Sequence, residues 1–151
     1  MKSPTGRAIL AAMLAGLLPA CAGERPVNLG AREGRLVPCP SSPNCVSSQA
    51  ADDRHRIEPL AFAGDSDAAF GRLKRILESR GDTTIIEQSA DYLRAELRTT
   101  FFVDDGEFLL DRQQRLIHVR SASRLGYSDL GKNRSRMEEI RRAFSPGGAA
   151  P

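Results

Sequence analysis

YLRAELR, residues Tyr92–Arg98, sets apolar and charged side chains in strict alternation: Leu93, Ala95 and Leu97 on one side, Arg94, Glu96 and Arg98 on the other. Successive Cβ atoms of an extended chain point to opposite faces, so period two predicts a strand with one face buried and one wet. Working outward, TTIIEQ (83–88) is a second extended run just upstream. GEFLLD (106–111) and RLIHVR (115–120) lie downstream on either side of the polar loop RQQ, the pattern of a hairpin. RIEPL (56–60) is a further short extended piece.

Outside this run the period lengthens. In SDAAFGRLKRILES (66–79), Ala69, Phe70, Leu73, Ile76 and Leu77 recur at helical spacing behind a cap at Asp65 or Ser66, with an end near Gly81. The basic residues of this helix (Arg72, Lys74, Arg75, Arg80) are diluted by Asp65, Asp67 and Glu78, which reads as a solvated face rather than a lipid-binding one. Met137, Ile140 and Phe144 form the apolar stripe of a last helix. The order strand, helix, four strands, helix predicts an α+β fold: a small antiparallel sheet of about four to five strands with two helices packed on one face.

The chain has 151 residues, 40% of them hydrophobic, enough for one small core. Its N-terminus reads as an export signal over residues 1–20. Lys2 and Arg7 precede the apolar run AILAAMLAGLL (8–18), which as a helix reaches only about 16 Å, half of a hydrocarbon core of about 30 Å. Leu18-Pro19-Ala20-Cys21 resembles the lipobox of bacterial lipoproteins. That resemblance implies a mature chain starting at Cys21, bearing a thioether-linked diacylglycerol and an amine acylated by a fatty acid such as palmitate. With Ala22 rather than Asp next, it implies sorting to the periplasmic side of an outer membrane. An ordinary secretory signal cut near Ala20 is the alternative. Removal of Lys2 and Arg7 lowers the formal charge from +3 to +1, with 20 basic against 19 acidic residues, so overall charge gives no support to nucleic-acid binding.

Of three cysteines, lipidation uses Cys21 and leaves Cys39 and Cys45 around the proline-rich loop CPSSPNC. In an oxidising compartment a disulfide is expected, closing a seven-residue loop for about 2 kcal/mol. A redox-active pair and a metal site drawing on His55 and His118 are the competing readings. No metal or cofactor is expected. AGERPVNLGAREGR (22–35) reads as a flexible tether, up to about 50 Å long if fully extended, residues 36–144 as the domain, and 145–151 as a frayed tail.

The segments LVPCPSSPNCVSS, FFVDDGEFLLD and RSASRLGYSDLGKNRSRMEEIR are similar to successive signature blocks of the bacterial and plastid family known as domain of unknown function 1499, over most of Leu36–Arg142. The resemblance implies a small exported or membrane-associated domain and supplies no activity. Gly106 departs from the apolar residue expected there, which predicts a looser start to that strand.

RSASRLGYSDLGKNRSR (120–136) crowds Arg120, Arg124, Lys132, Arg134 and Arg136 beside one acid, Asp129. Three readings compete. In the first, the block is paired internally: a hairpin brings Asp104, Asp105, Glu107 and Asp111 alongside it, Asp129 pairs with Arg134 or caps a turn, and Asn133 caps the last helix. In the second, it is an anion site. Hydroxyls of Ser121, Ser123, Tyr127 and Ser128 join the guanidinium groups at a helix start, for a phosphate or carboxylate of a lipid headgroup, cell-wall component or lipid-linked precursor, or for an envelope protein. The third is catalysis, an envelope hydrolase or transferase. It is the weakest: there is no GxSxG or HExxH, and His118 has no evident nucleophile partner. Asp104 and Asp105 point to opposite faces of a regular strand, which rules them out as an acid/base dyad.

Overall fold

The computed structural model describes residues 23–146. In chain order the elements are β1 (Ala31–Arg32), β2 (Arg35–Leu36), β3 (Cys45–Ser47), β4 (Leu60–Ala61), α1 (Ser66–Ser79), β5 (Thr83–Gln88), β6 (Tyr92–Arg98), β7 (Val103–Asp111), β8 (Leu116–Ser123) and α2 (Lys132–Phe144). The main sheet has six strands, in the order β3-β8-β7-β6-β5 with β4 also on β8, and its ladders are antiparallel. The α+β class is as expected. The sheet is wider than four to five strands because two short strands share the outer edge of β8, with β3 against residues 120–122 and β4 against 116–117. Of RIEPL only Leu60 belongs to a strand.

Both helices cover one face. Phe70, Leu73, Ile76 and Leu77 of α1 and Met137, Ile140 and Phe144 of α2 pack on Leu93, Leu97, Phe108, Leu110, Ile117 and Val119 of the sheet. Asp65 caps α1 by accepting from the Ala68 amide, and the helix stops at Ser79, two residues before the glycine expected to end it. Gly106 does not loosen β7. It lies in the ladder between Ala95 and Ser121, and a Cβ there would come within 2.8 Å of the Leu97 side chain.

The other face is not wet. Arg94 and Glu96 of the opening alternation are buried, as are Asp105, Glu107 and Arg120. Part of the supposed tether covers them: residues 23–36 lie across this face, ending in the β1–β2 hairpin whose turn is Glu33-Gly34, both at positive φ. Leu36 closes a small apolar cluster with Tyr92 and Leu109. The reach computed for a free tether therefore does not apply to these residues. Cys21 and most of the tail lie outside the described residues. Among the described residues, no helix is long and apolar enough to cross a membrane.

Candidate functional site

Strand parity separates the acids of β7. Asp104 faces the helices and Asp105 faces the N-terminal strap. Register sets Glu107 opposite Arg120 and Asp105 opposite Glu96. Just beyond β8, Arg124 folds back on this face and grips Asp105 with two nitrogens, Nε to Oδ2 at 2.7 Å and Nη2 to Oδ1 at 2.9 Å, while Nη2 also donates to Glu96 at 2.8 Å. Arg94 donates to Asp105 at 3.1 Å, and Arg120 to Glu107 at 3.0 Å. Three buried guanidinium groups thus meet three buried carboxylates.

The strap completes this network. Arg25 donates twice to Glu96, at 2.6 and 2.9 Å, and the Pro26 carbonyl accepts from Arg94. The Gly30 amide and the Tyr92 hydroxyl both donate to Glu107 Oε1, at 2.9 and 2.8 Å. Burial opposes the charged form of Glu96, but the Arg124 and Arg25 guanidinium groups outweigh it and hold the carboxyl down at about 2. The Asp105 and Glu96 carboxylates raise Arg124 above its ordinary value against the effect of burial. Burial and the adjacent Glu107 charge push the Tyr92 hydroxyl far up, so it serves as a donor.

On the helix face, Arg136 is fully buried and donates to Asp104 Oδ2 at 2.6 Å, with Asp82 at 3.4 Å from its Nε. Asn133 is not a cap. It lies inside α2, where its Nδ2 donates to Ser123 Oγ and to the Asn44 carbonyl, and its Oδ1 accepts from Ser121 Oγ. Asp129 does the capping work instead, accepting from the Gly131 and Asn133 amides at the positive end of the helix. Arg134 does not pair with Asp129. It donates to the backbone carbonyls of Arg54 and Arg56. Ser128 Oγ accepts from the Leu130 amide, and Tyr127 is largely exposed.

The residues singled out from 120–136 therefore divide between two faces and do not converge on one concavity. Glu107 was expected alongside the block and pairs with Arg120, whereas Glu96, Arg94 and Arg25 belong to the network but were not among the candidates. Glu96 and Arg94 were signalled by their place on the charged side of the Tyr92–Arg98 alternation. Arg25 carried no signal, because long-range docking of an irregular segment leaves no period in the sequence.

A disulfide joins Cys39 to Cys45. Its loop is tied down by buried His55, whose Nε2 lies 3.1 Å from the Ser42 carbonyl and whose Nδ1 lies 2.8 Å from Asp52, and by Asn44, which donates to the Gly126 carbonyl. The hydrogen bond to His55 holds the Asp52 carboxyl below its ordinary range. Among the described residues no cluster of three or more His, Cys, Asp or Glu is arranged for a metal ion.

His118 does have a serine neighbour that the sequence did not reveal: Ser48 Oγ lies 3.2 Å from its Nδ1. Asp111 is 3.9 Å from Nε2, beyond hydrogen-bond reach. Burial lowers the His118 pKa, opposed by the Asp111 charge. Ser48 has a structural task as well. In the gap between β3 and β4 on the edge of β8 it replaces the missing ladder, its amide donating to the Val119 carbonyl and its Oγ accepting from the Val119 amide at 2.9 Å.

A family described as Protein of unknown function (DUF1499) matches residues 35–144. No curated protein and no solved structure matches the chain.

Proposed function

The chain belongs to the DUF1499 family, and on that footing we propose that it is a non-catalytic module of the bacterial envelope, lipid-anchored at Cys21, in which the arginine block is an internal clasp. The observation that carries this reading is the carboxylate pairing of the arginines under the strap. The buried Arg94, Arg120 and Arg124 side chains and the half-exposed Arg25 and Arg98 all donate to Glu96, Asp105 or Glu107, so each arginine of the network already has a carboxylate partner. A ligand site aims unspent donors at solvent, whereas here Arg124 and one terminal nitrogen each of Arg94 and Arg120 are aimed at carboxylates, and the unpartnered Nε groups of Arg94 and Arg120 are buried. The module then acts by supporting or binding other envelope components through its surface, on the periplasmic side of the outer membrane.

Two measurements test the two halves of the proposal. Cells expressing the full chain should incorporate labelled palmitate, and Cys21→Ser should abolish the label and release the protein from the membrane fraction. Arg124→Ala should lower the melting temperature, and inorganic phosphate should leave the melting temperature of both proteins unchanged. Stabilisation of the unaltered chain by phosphate, lost in Arg124→Ala, would restore the anion-site reading.

The contact between Ser48 and His118 favours a second reading, an envelope hydrolase acting on a lipid or cell-wall ester. It is the weaker one, because the serine oxygen already accepts an amide hydrogen and no acid grips the imidazole. A fluorophosphonate probe that labels the unaltered chain and not Ser48→Ala would establish it.

A further inference from the structure

Six large apolar side chains stand out from the surface among the described residues, and five of them fall in two loops at one end of the sheet: Phe101 (72% exposed), Phe102 (51%), Leu125 (41%), Tyr127 (72%) and Leu130 (96%). The loops are the β6–β7 turn and the connection from β8 to α2. They are neighbours because Arg98 pairs with Val103, and Asp104 with Ser123, at this end of the ladder. Between them lies a cleft of about 310 Å³ lined by Phe102, Leu125 and Leu130 together with Thr99, Gly126 and Lys132. At the opposite end, the β7–β8 turn is Arg112-Gln113-Gln114-Arg115 and the β5–β6 turn is Ser89-Ala90-Asp91. The polarity runs along the strands, with one wet end and one greasy end.

This exposure is held in place by local structure. The Thr99 amide donates to the Phe102 carbonyl at 2.9 Å and the Phe102 amide to Thr99 Oγ1 at 3.0 Å, a closed turn with Phe101 at its crest. Leu130 holds the left-handed conformation at φ 53°, where a branched side chain is costly, and points almost wholly into solvent. Clusters of this kind on a soluble domain mark a surface that meets another apolar phase.

The course of the chain says which phase. The strap enters the described structure at Gly23, packed so closely on Arg124 and Leu125 that a Cβ there would lie 2.9 Å from one and 3.0 Å from the other. Cys21 is two residues earlier, a reach of roughly 7 Å at most. Because the clasp fixes residues 25–36 on the sheet, an acylated Cys21 has no long tether and must hold this same end against the bilayer.

Resting on the acylation of Cys21 proposed above, we propose that the two loops form a membrane-facing tip which seats Phe101, Phe102, Tyr127 and Leu130 in the interfacial zone of a phospholipid bilayer. The acyl chains and the tip then act as two signals on one rigid body, standing the sheet on end with its polar turns away from the membrane. Lys132 on the rim faces the headgroups, while the Asp129 carboxylate is occupied by backbone amides.

The chain contains no tryptophan, so a single introduced one reports position. The full chain carrying either Phe101→Trp or Gln113→Trp is reconstituted in phospholipid vesicles with brominated acyl chains, and the mass at Cys21 is read from the same samples. Expected is blue-shifted emission and severalfold stronger quenching for Phe101→Trp than for Gln113→Trp. A protein acylated at Cys21 whose two tryptophans are equally unquenched overturns the tip and leaves the anchor standing. Selective quenching of Phe101→Trp without acylation overturns the anchor and supports the tip, and absence of both overturns both. A concentration-dependent blue shift of Phe101→Trp without lipid, and no quenching with it, makes the tip a self-association surface and overturns the proposal.

Discussion

Arg136 and Asp104 join α2 to β7 through a 2.6 Å ion pair from which solvent is excluded, at 0% and 3% side-chain exposure. Removing one member strands the other in the interior, at a cost of about 3–5 kcal/mol. Arg136→Met and Asp104→Leu should each lose about that much in urea unfolding. Arg136 Nη2 has no partner even in the intact pair, so the double variant should lose well under the sum. Strict additivity in the double-mutant cycle would show that the two residues are not coupled.

Gly106 is required by its neighbour rather than by its backbone, since Leu97, fully buried, occupies the space a Cβ would need. Gly106→Ala should therefore cost about 1–3 kcal/mol through overpacking. Adding Leu97→Val should recover part of the loss, although Leu97→Val alone destabilises. A Gly106→Ala protein that unfolds at the unaltered midpoint would mean that this contact relaxes freely.

The clasp should fail in acid. Glu96 titrates at about 2 in the fold against its ordinary 4.5. A depressed carboxylate stabilises fully above its unfolded value and loses that contribution as pH falls toward its folded one, so the window runs from about 4.5 down to about 2. The difference corresponds to roughly 3 kcal/mol at neutral pH. Glu96→Gln should be less stable than the unaltered chain at neutral pH, with the gap closing across that window. An unchanged gap at pH 3 would assign the stability to other groups.

How much of this was legible depended on whether the information was periodic. The alternation of Leu93, Ala95 and Leu97 and the helical stripes of 66–79 and 137–144 each gave their element and buried face, because packing against one apolar core imposes a period. The charged side of the same strand misled, since an alternating pattern looks identical whether its polar face meets water or a matching set of ions. Only the pairing of Glu107 with Arg120, and of Asp105 with Arg124, distinguishes the two cases, and that pairing depends on register and on a strap without a pattern of its own. The apolar tip went unread for a similar reason: Phe101-Phe102 and Leu125, Tyr127 and Leu130 are far apart in sequence and meet only when β7 and β8 pair.

The strap is held by side chains, with the Gly30 amide donating to the buried Glu107 carboxylate and Leu36 seated between Tyr92 and Leu109. It is not a strand of the main sheet, so it should open at lower free energy than the ladder beneath it. Native-state hydrogen exchange should find the Gly30 amide protected but faster than those of Phe108 and Arg120, which lie inside the ladder of the main sheet. Leu36→Ala removes the apolar latch at a cost of about 2–5 kcal/mol. Each 1.4 kcal/mol corresponds to about a tenfold rate change, so Gly30 should exchange at least tenfold faster in this variant while the central amides hold their rates. Equal acceleration at all three sites would show that strap and sheet open as one unit, and an unprotected Gly30 in the unaltered chain would mean that the strap is not closed in solution.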